Sequence, residues 1–324
     1  MSSSECPPAK RPRTEDTPPI SRSKTIWYKD GSVVLQAQNT QFRVHWGVLS
    51  LHSSFFRDMQ DVPQPPEQES VEGCPLIEVS DTVSDLENLL NALYNPLFNK
   101  ESLPFNMVAS IVRLGRKYDF KELLDTAIDR LTRLYPSTLA EFHSPPKSPS
   151  LITLEKGLQF EVINLATENG IFSILPCAYY RVIEQYSTNQ APIFNGIART
   201  DGTITLSAAD QTVCILAHAK MLVAQFQPGN TLGWCPILNP ATIDEQGCTD
   251  PATCRRMKDR LFRAVAVPPK LWALASGFTV DKWKFCPGCT QSTKDQITTG
   301  QMNMWESLPS FFDLPPWADL KNNV

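Results

Sequence analysis

The stretch VVLQAQNTQFRVHWGVLSLHSSFFRDM, Val33 to Met59, limits what this chain can fold into more than any other. Val33, Leu35 and Ala37 alternate with neighbouring positions, and Phe42 and Val44 do the same a few residues on. Two-residue alternation is the period of a half-buried strand, so the segment predicts a strand pair. Asn39-Thr40 marks the turn between the two runs. After His45 the period changes. Val48, Leu49, Phe55, Phe56 and Met59 fall three, four and seven residues apart, the spacing of one face of a helix.

The next 75 or so residues extend the pattern. Leu76 to Val79 predicts a third strand. Asp85–Tyr94, Asn106–Lys117 and Phe120–Leu134 predict three helices, with Leu86, Leu89, Leu90, Val108, Ile111, Val112, Leu124, Ile128 and Leu131 turned inward. Strands followed by packed helices argue an α+β unit.

The order Phe42, Val44, His45, Val48, Leu49, Ser53, Phe56, Met59 resembles the BTB/POZ family motif. The run Leu89-Leu90-Asn91-Ala92-Leu93-Tyr94 and the segment Ile111 to Tyr118 resemble that family's later helices. The wording DGxVVLQAxxTxFRVHxxVL is nearest to BTB proteins of mushroom-forming fungi. The resemblance covers about residues 24–136. It implies a non-catalytic module that dimerises and serves as an adaptor, in some members for a cullin-type ubiquitin ligase. It implies pairing through the N-terminal strand and first helix, which here points to Ile26, Trp27, Val48, Leu49 and Phe55 as partly exposed interface residues. Two positions depart from the family. Ser32 stands where transcription-factor members carry an Asp that lines a charged pocket, and Asp30 is the nearest acid. Trp46 replaces the usual basic residue after the motif histidine. His45 itself has no ligand-spaced Cys, Asp or His nearby, so its ring is expected to bond backbone at a strand–helix junction rather than act as a base or ligand.

Residues 1–22 are rich in Ser, Pro and charge and are expected to form a disordered tail. Within it, Lys10, Arg11 and Arg13 form a candidate nuclear import signal; a solvated charge run is the competing reading. The rest divides into a BTB-like domain over 23–136, a proline-rich linker over 137–150 and a mostly helical region over 151–324 with a cysteine-rich segment at 235–289. Length of 324 residues suits two modest domains, and 42% hydrophobic with 20% charged residues is ordinary for a globular chain. No run approaches the ~18 apolar residues of a membrane helix, and the first residues lack the apolar core of a secretory signal. An intracellular setting, nucleus or cytoplasm, is therefore expected. In a reducing compartment, clustered cysteines bind metal more often than they pair. The formal charge of -4 gives no general attraction to nucleic acid.

In the helical region, Leu154–Glu168 carries an apolar stripe, Pro176 starts a helix reaching Tyr186, and Ser207 with Asp210 forms a capping pattern before a helix reaching Phe226. The aromatic, proline-rich tail Leu308–Trp317 is expected to strap across its own domain.

Five of the nine cysteines lie at 235, 248, 254, 286 and 289. Cys286-Pro287-Gly288-Cys289 can turn two thiolates onto one metal ion. Cys248 and Cys254, in a Gly/Asp/Pro loop, supply two more ligands; Cys235 is the alternative fourth. Four protein ligands leave no position for water, so the role would be that of a structural zinc. Independent reduced thiols, a redox Cys-x-x-Cys and a disulfide are the competing readings. The redox reading lacks the βαβ setting such motifs follow.

No phosphate-binding Gly-rich loop, no G-x-S-x-G and no H-E-x-x-H occurs. The chain is therefore read as a protein-binding adaptor without catalytic residues. The alternative is a nuclear transcriptional regulator with a structural zinc site in its second half.

Overall fold

In the computed structural model, residues 19–62, 68–95, 98, 102–144, 151–200, 202–234, 247–266, 270–276 and 279–322 are described. The basic cluster Lys10, Arg11 and Arg13, and Cys235, lie outside them.

The first half is built on strands β1 (Ser21–Trp27), β2 (Val33–Ala37), β3 (Thr40–Val44), β4 (Ser70–Val71) and β5 (Cys74–Val79). They form a sheet in the order β1-β3-β2-β5-β4. β2 and β3 are the antiparallel hairpin that the alternation predicts, with Leu35 opposite Phe42. Its turn is one residue earlier than expected. Ala37 pairs with Thr40, so Gln38-Asn39 reverse the chain and Gln38 takes a left-handed φ of 51°. β2 also pairs in parallel with β5, which makes it central. Val33, Val34, Leu35 and Ala37 are all buried, so β2 is buried on both faces, not one. On the side away from Val33 and Leu35, Gln41 Nε2 donates to Gln36 Oε1 at 2.8 Å and Gln36 Nε2 donates to Glu78 Oε1 at 3.2 Å. β1 is the N-terminal strand that the family resemblance implies at Ile26 and Trp27; it begins earlier than expected, taking in Ser21 and Arg22 from the expected tail. It pairs in parallel with β3 and forms one edge of the sheet.

Helices α1 (Trp46–His52), α2 (Ser54–Asp61), α3 (Val83–Tyr94), α4 (Phe105–Lys117) and α5 (Lys121–Leu134) complete this half. Ser53 breaks α1 from α2. Its Oγ accepts from Phe56 N at 3.1 Å and donates to the Tyr118 carbonyl. One core joins Val33, Leu35, Phe42, Val44, Leu49 and Phe56 to Leu86, Leu89, Leu90, Leu114, Tyr118 and Phe120.

The second half holds α6 (Leu139–His143), α7 (Leu158–Asn169), α8 (Leu175–Gln185), α9 (Ala191–Asn195), a short hairpin of β6 (Ile197–Arg199) and β7 (Gly202–Ile204), α10 (Ala208–Ala224), α11 (Pro251–Ala266), α12 (Pro287–Glu306) and α13 (Leu308–Phe311). Ser207 caps α10 by accepting from Asp210 N at 3.1 Å. The expected linker is partly structured: α6 lies inside it, and His143 Nε2 sits 2.9 Å from the Leu274 carbonyl. The tail packs on its own chain. Trp317 stacks on Trp305 at 5.2 Å, and its indole N–H donates to the Trp305 carbonyl at 2.8 Å.

The largest core does not stop at the end of α5. Val108, Ile111, Val112, Ile128 and Leu131 of α4 and α5 join Phe160, Val162, Tyr180, Ala217, Met221 and Trp305 in one apolar cluster. Polar bonds cross the same seam. Arg116 donates to the Asn169 carbonyl, Arg130 to the Leu151 carbonyl, and Trp305 Nε1 to the Ser137 carbonyl at 3.0 Å. A smaller cluster of Leu232, Trp234, Leu261, Val265, Val280 and Ile297 holds α11 to α12.

Candidate functional sites

Two features stand apart from plain packing: the surface presented by β1, α1 and α2, and a group of four cysteines.

The motif residues Phe42, Val44, Ser53 and Phe56 are buried, while Val48 and Met59 are partly buried. Of the five expected interface residues, Ile26 and Leu49 are not partly exposed. Both are buried in their own core, because β1 turns Ile26 inward and Leu49 lies on the inner face of α1. Trp27 is half-buried, with the Arg22 guanidinium 4.5 Å over its ring. Phe55 is 40% exposed. Sequence reading missed Leu51, which is 73% exposed and is the most open large apolar side chain on these two helices. Exposed apolar side chains of this kind favour contact with another chain, as does the edge of a sheet, which β1 forms.

His45 is held by side chains, not by the backbone bond expected for its ring. Its Nδ1 lies 3.1 Å from Tyr94 Oη and its Nε2 lies 3.3 Å from the Asp30 carboxylate. The His45 backbone N–H also donates to Tyr94 Oη at 3.0 Å. Tyr28 stacks on Tyr94 at 4.7 Å. Asp30, fully at the surface, is held below its usual carboxylate range by a backbone hydrogen bond and by His45. Every polar atom of the ring is thus committed to locking the β3–α1 junction. Ser32 takes part too: its Oγ accepts from Trp46 N at 2.9 Å.

The four cysteines come from two helix starts. Cys248 precedes α11 and Cys254 lies in its first turn. Cys254 is therefore on a helix and not in the loop the sequence suggested. Cys286 is the N-cap of α12, and Cys289 lies in that helix's first turn. The four sulfur atoms lie within 4.8 Å of one another. Cys286 and Cys248 Sγ are 3.9 Å apart, far from the ~2.05 Å of a disulfide. Backbone N–H groups of Cys289 and Thr249 point at Cys286 Sγ and hold that thiol well below its ordinary value, whereas burial raises Cys254 and Cys289. Pro287 at the helix start supplies a fixed φ where no N–H is needed. A Cβ at Gly288 would stand 3.0 Å from the Gly247 carbonyl oxygen, so glycine lets the Cys248 loop approach α12.

The unit has a mixed five-stranded sheet with helical pairs packed on it. Residues 29–133 match the BTB/POZ domain family, so this segment of the chain is a BTB/POZ domain. Such domains mediate protein–protein contacts and dimerisation and are not catalytic. Strand β1 precedes the matched residues. No curated protein matches the chain. No helix among the described residues is long and apolar enough to cross a membrane.

Proposed function

We propose that this protein is a non-enzymatic adaptor that pairs with a second copy of itself through the BTB/POZ domain and offers its helical half to another protein. One observation carries the reading: in a domain of this family, α1 and α2 leave Leu51 and Phe55 open to solvent while β1 lies at the edge of the sheet. Val48 of α1 and Trp27 of β1, both partly buried, are the further contact residues of this reading. Ile26 and Leu49 are buried in the domain core and are not contact residues in this reading.

Two full-length copies with different tags, expressed together, test it. Capture of one tag is expected to bring down the other, and Leu51→Glu with Phe55→Glu is expected to abolish the capture while leaving the helical spectrum unchanged. Equal capture of the double variant would overturn the assignment of this face.

The family also supports a cullin-type ubiquitin ligase as a partner, with the second half carrying the substrate. Titration of the purified full chain against a cullin N-terminal domain is expected to show saturable binding; no heat and no shift in sedimentation would remove cullin from the reading. The alternative is a nuclear regulator in which Lys10, Arg11 and Arg13 direct import and the cysteine region carries a zinc ion. Salt-dependent retention on DNA would favour it. The formal charge of -4 argues against it.

A further inference from the structure

We propose that Cys248, Cys254, Cys286 and Cys289 bind one zinc ion as a closed four-thiolate site that fastens the start of α11 to the start of α12. The inference rests on the cysteine geometry alone and does not depend on the adaptor reading.

The spacing fits the ion. A tetrahedron with Zn–S of about 2.3 Å has sulfur–sulfur edges of about 3.8 Å. The Cys286 and Cys248 sulfurs are 3.9 Å apart, and the whole set lies within 4.8 Å. Contraction of well under 1 Å per sulfur completes the tetrahedron. Two of the sulfurs belong to buried residues, Cys254 and Cys289, while Cys248 and Cys286 are partly open, which gives the ion a path in.

The backbone suits the charge. Four thiolates around Zn²⁺ carry a net charge of about −2. Helix N-termini favour negative charge, and two long helices, of 16 and 20 residues, begin at this cluster. Backbone N–H groups already aim at the sulfurs: Cys286 N lies 3.3 Å from Cys254 Sγ and Cys289 N lies 3.4 Å from Cys286 Sγ. Such N–H···S bonds orient metal-bound thiolates and offset their charge.

The location gives the ion something to do. Among the described residues, the apolar cluster between α11 and α12 has six buried side chains, Leu261 and Ile297 among them, with five aromatic residues packed at its margin. A lobe with so small a core gains from a fastener. With four protein ligands no coordination position remains for water, so the site is structural and supplies no metal-bound nucleophile.

The full chain, purified without chelator, tests this by elemental analysis. About one zinc per chain is expected. Cys286→Ser and Cys289→Ser are each expected to lose it, and Cys235→Ser to keep it. Because the variants could fail to fold, cobalt is exchanged into the wild-type chain as a second probe. The expected result is the intense visible bands of a tetrahedral cobalt ion together with thiolate charge-transfer absorption. Zinc well below half an equivalent in the wild type, iron in its place, a cobalt spectrum without thiolate bands, or loss of zinc from Cys235→Ser would each overturn the assignment.

Discussion

Ser53 shows how one hydroxyl can fix a junction. It accepts from Phe56 N to start α2 and donates to the Tyr118 carbonyl at the end of α4, and it is fully buried. Removing the hydroxyl loses an N-cap and orphans a buried carbonyl. Ser53→Ala is expected to cost about 1–2 kcal/mol in urea unfolding of the full chain; a change below about 0.5 kcal/mol, the range of a surface substitution, would contradict this role. Cys177 and Cys214 make a second residue-scale case. Both are completely buried, and burial pushes both thiols up to about 12. At mildly alkaline pH they stay neutral and out of reach, so a maleimide is expected to modify them only after denaturation. Mass-spectrometric detection of label on Cys177 in the native protein would refute that. Single residues were legible to different degrees. The Cys-x-x-Cys pair and the earlier pair declared themselves through type and spacing. The partners of His45 did not, because Tyr94 is 49 positions away and no local pattern connects the two.

At the level of elements, the strand hairpin and the helices of the first half follow their hydrophobic period closely. The elements that the hydrophobic period missed have clear reasons for being hard to see. β1 (SRSKTIW) buries little beyond Ser23 and Ile26, so it carries almost no alternation and only the family resemblance points to it. α11 buries Cys254, Lys258, Leu261 and Val265, correct helical spacing interrupted by a lysine. α12 buries Cys289, Thr293, Ile297, Gly300, Gln301, Met304 and Trp305. That stripe is helical in spacing but largely polar or small in type, so hydrophobicity alone does not reveal it. Gly300 explains why one of those positions must be small. A Cβ there would lie 2.4 Å from backbone atoms of Asn230 and Thr231. Gly300→Ala adds good helix propensity yet forces α12 off the 230–231 turn. Overpacking of this kind costs about 1–3 kcal/mol, against about 1 kcal/mol gained from replacing a helical glycine. A net loss of stability is therefore expected by thermal melting; a rise in the midpoint would contradict the close approach.

For the molecule as a whole, sequence composition suggested two domains joined by a linker, and the packing is more continuous than that. Helices α4 and α5 of the BTB/POZ domain share their core with α7, α8 and α10, and Trp305 reaches from α12 to the Ser137 carbonyl. Long-range contacts of this kind depend on which faces meet in space, which a hydrophobic period does not encode. The same continuity means that the second half is held in a fixed relation to the BTB/POZ surface, so pairing of two chains would bring two helical halves into one assembly. The proposed adaptor role rests on that pairing. Sedimentation equilibrium of the purified full-length chain tests it most directly, with the Leu51→Glu, Phe55→Glu double variant run beside it. The account predicts twice the chain mass for the wild type and the single-chain mass for the variant. A wild-type chain that stays monomeric as its concentration rises would contradict it.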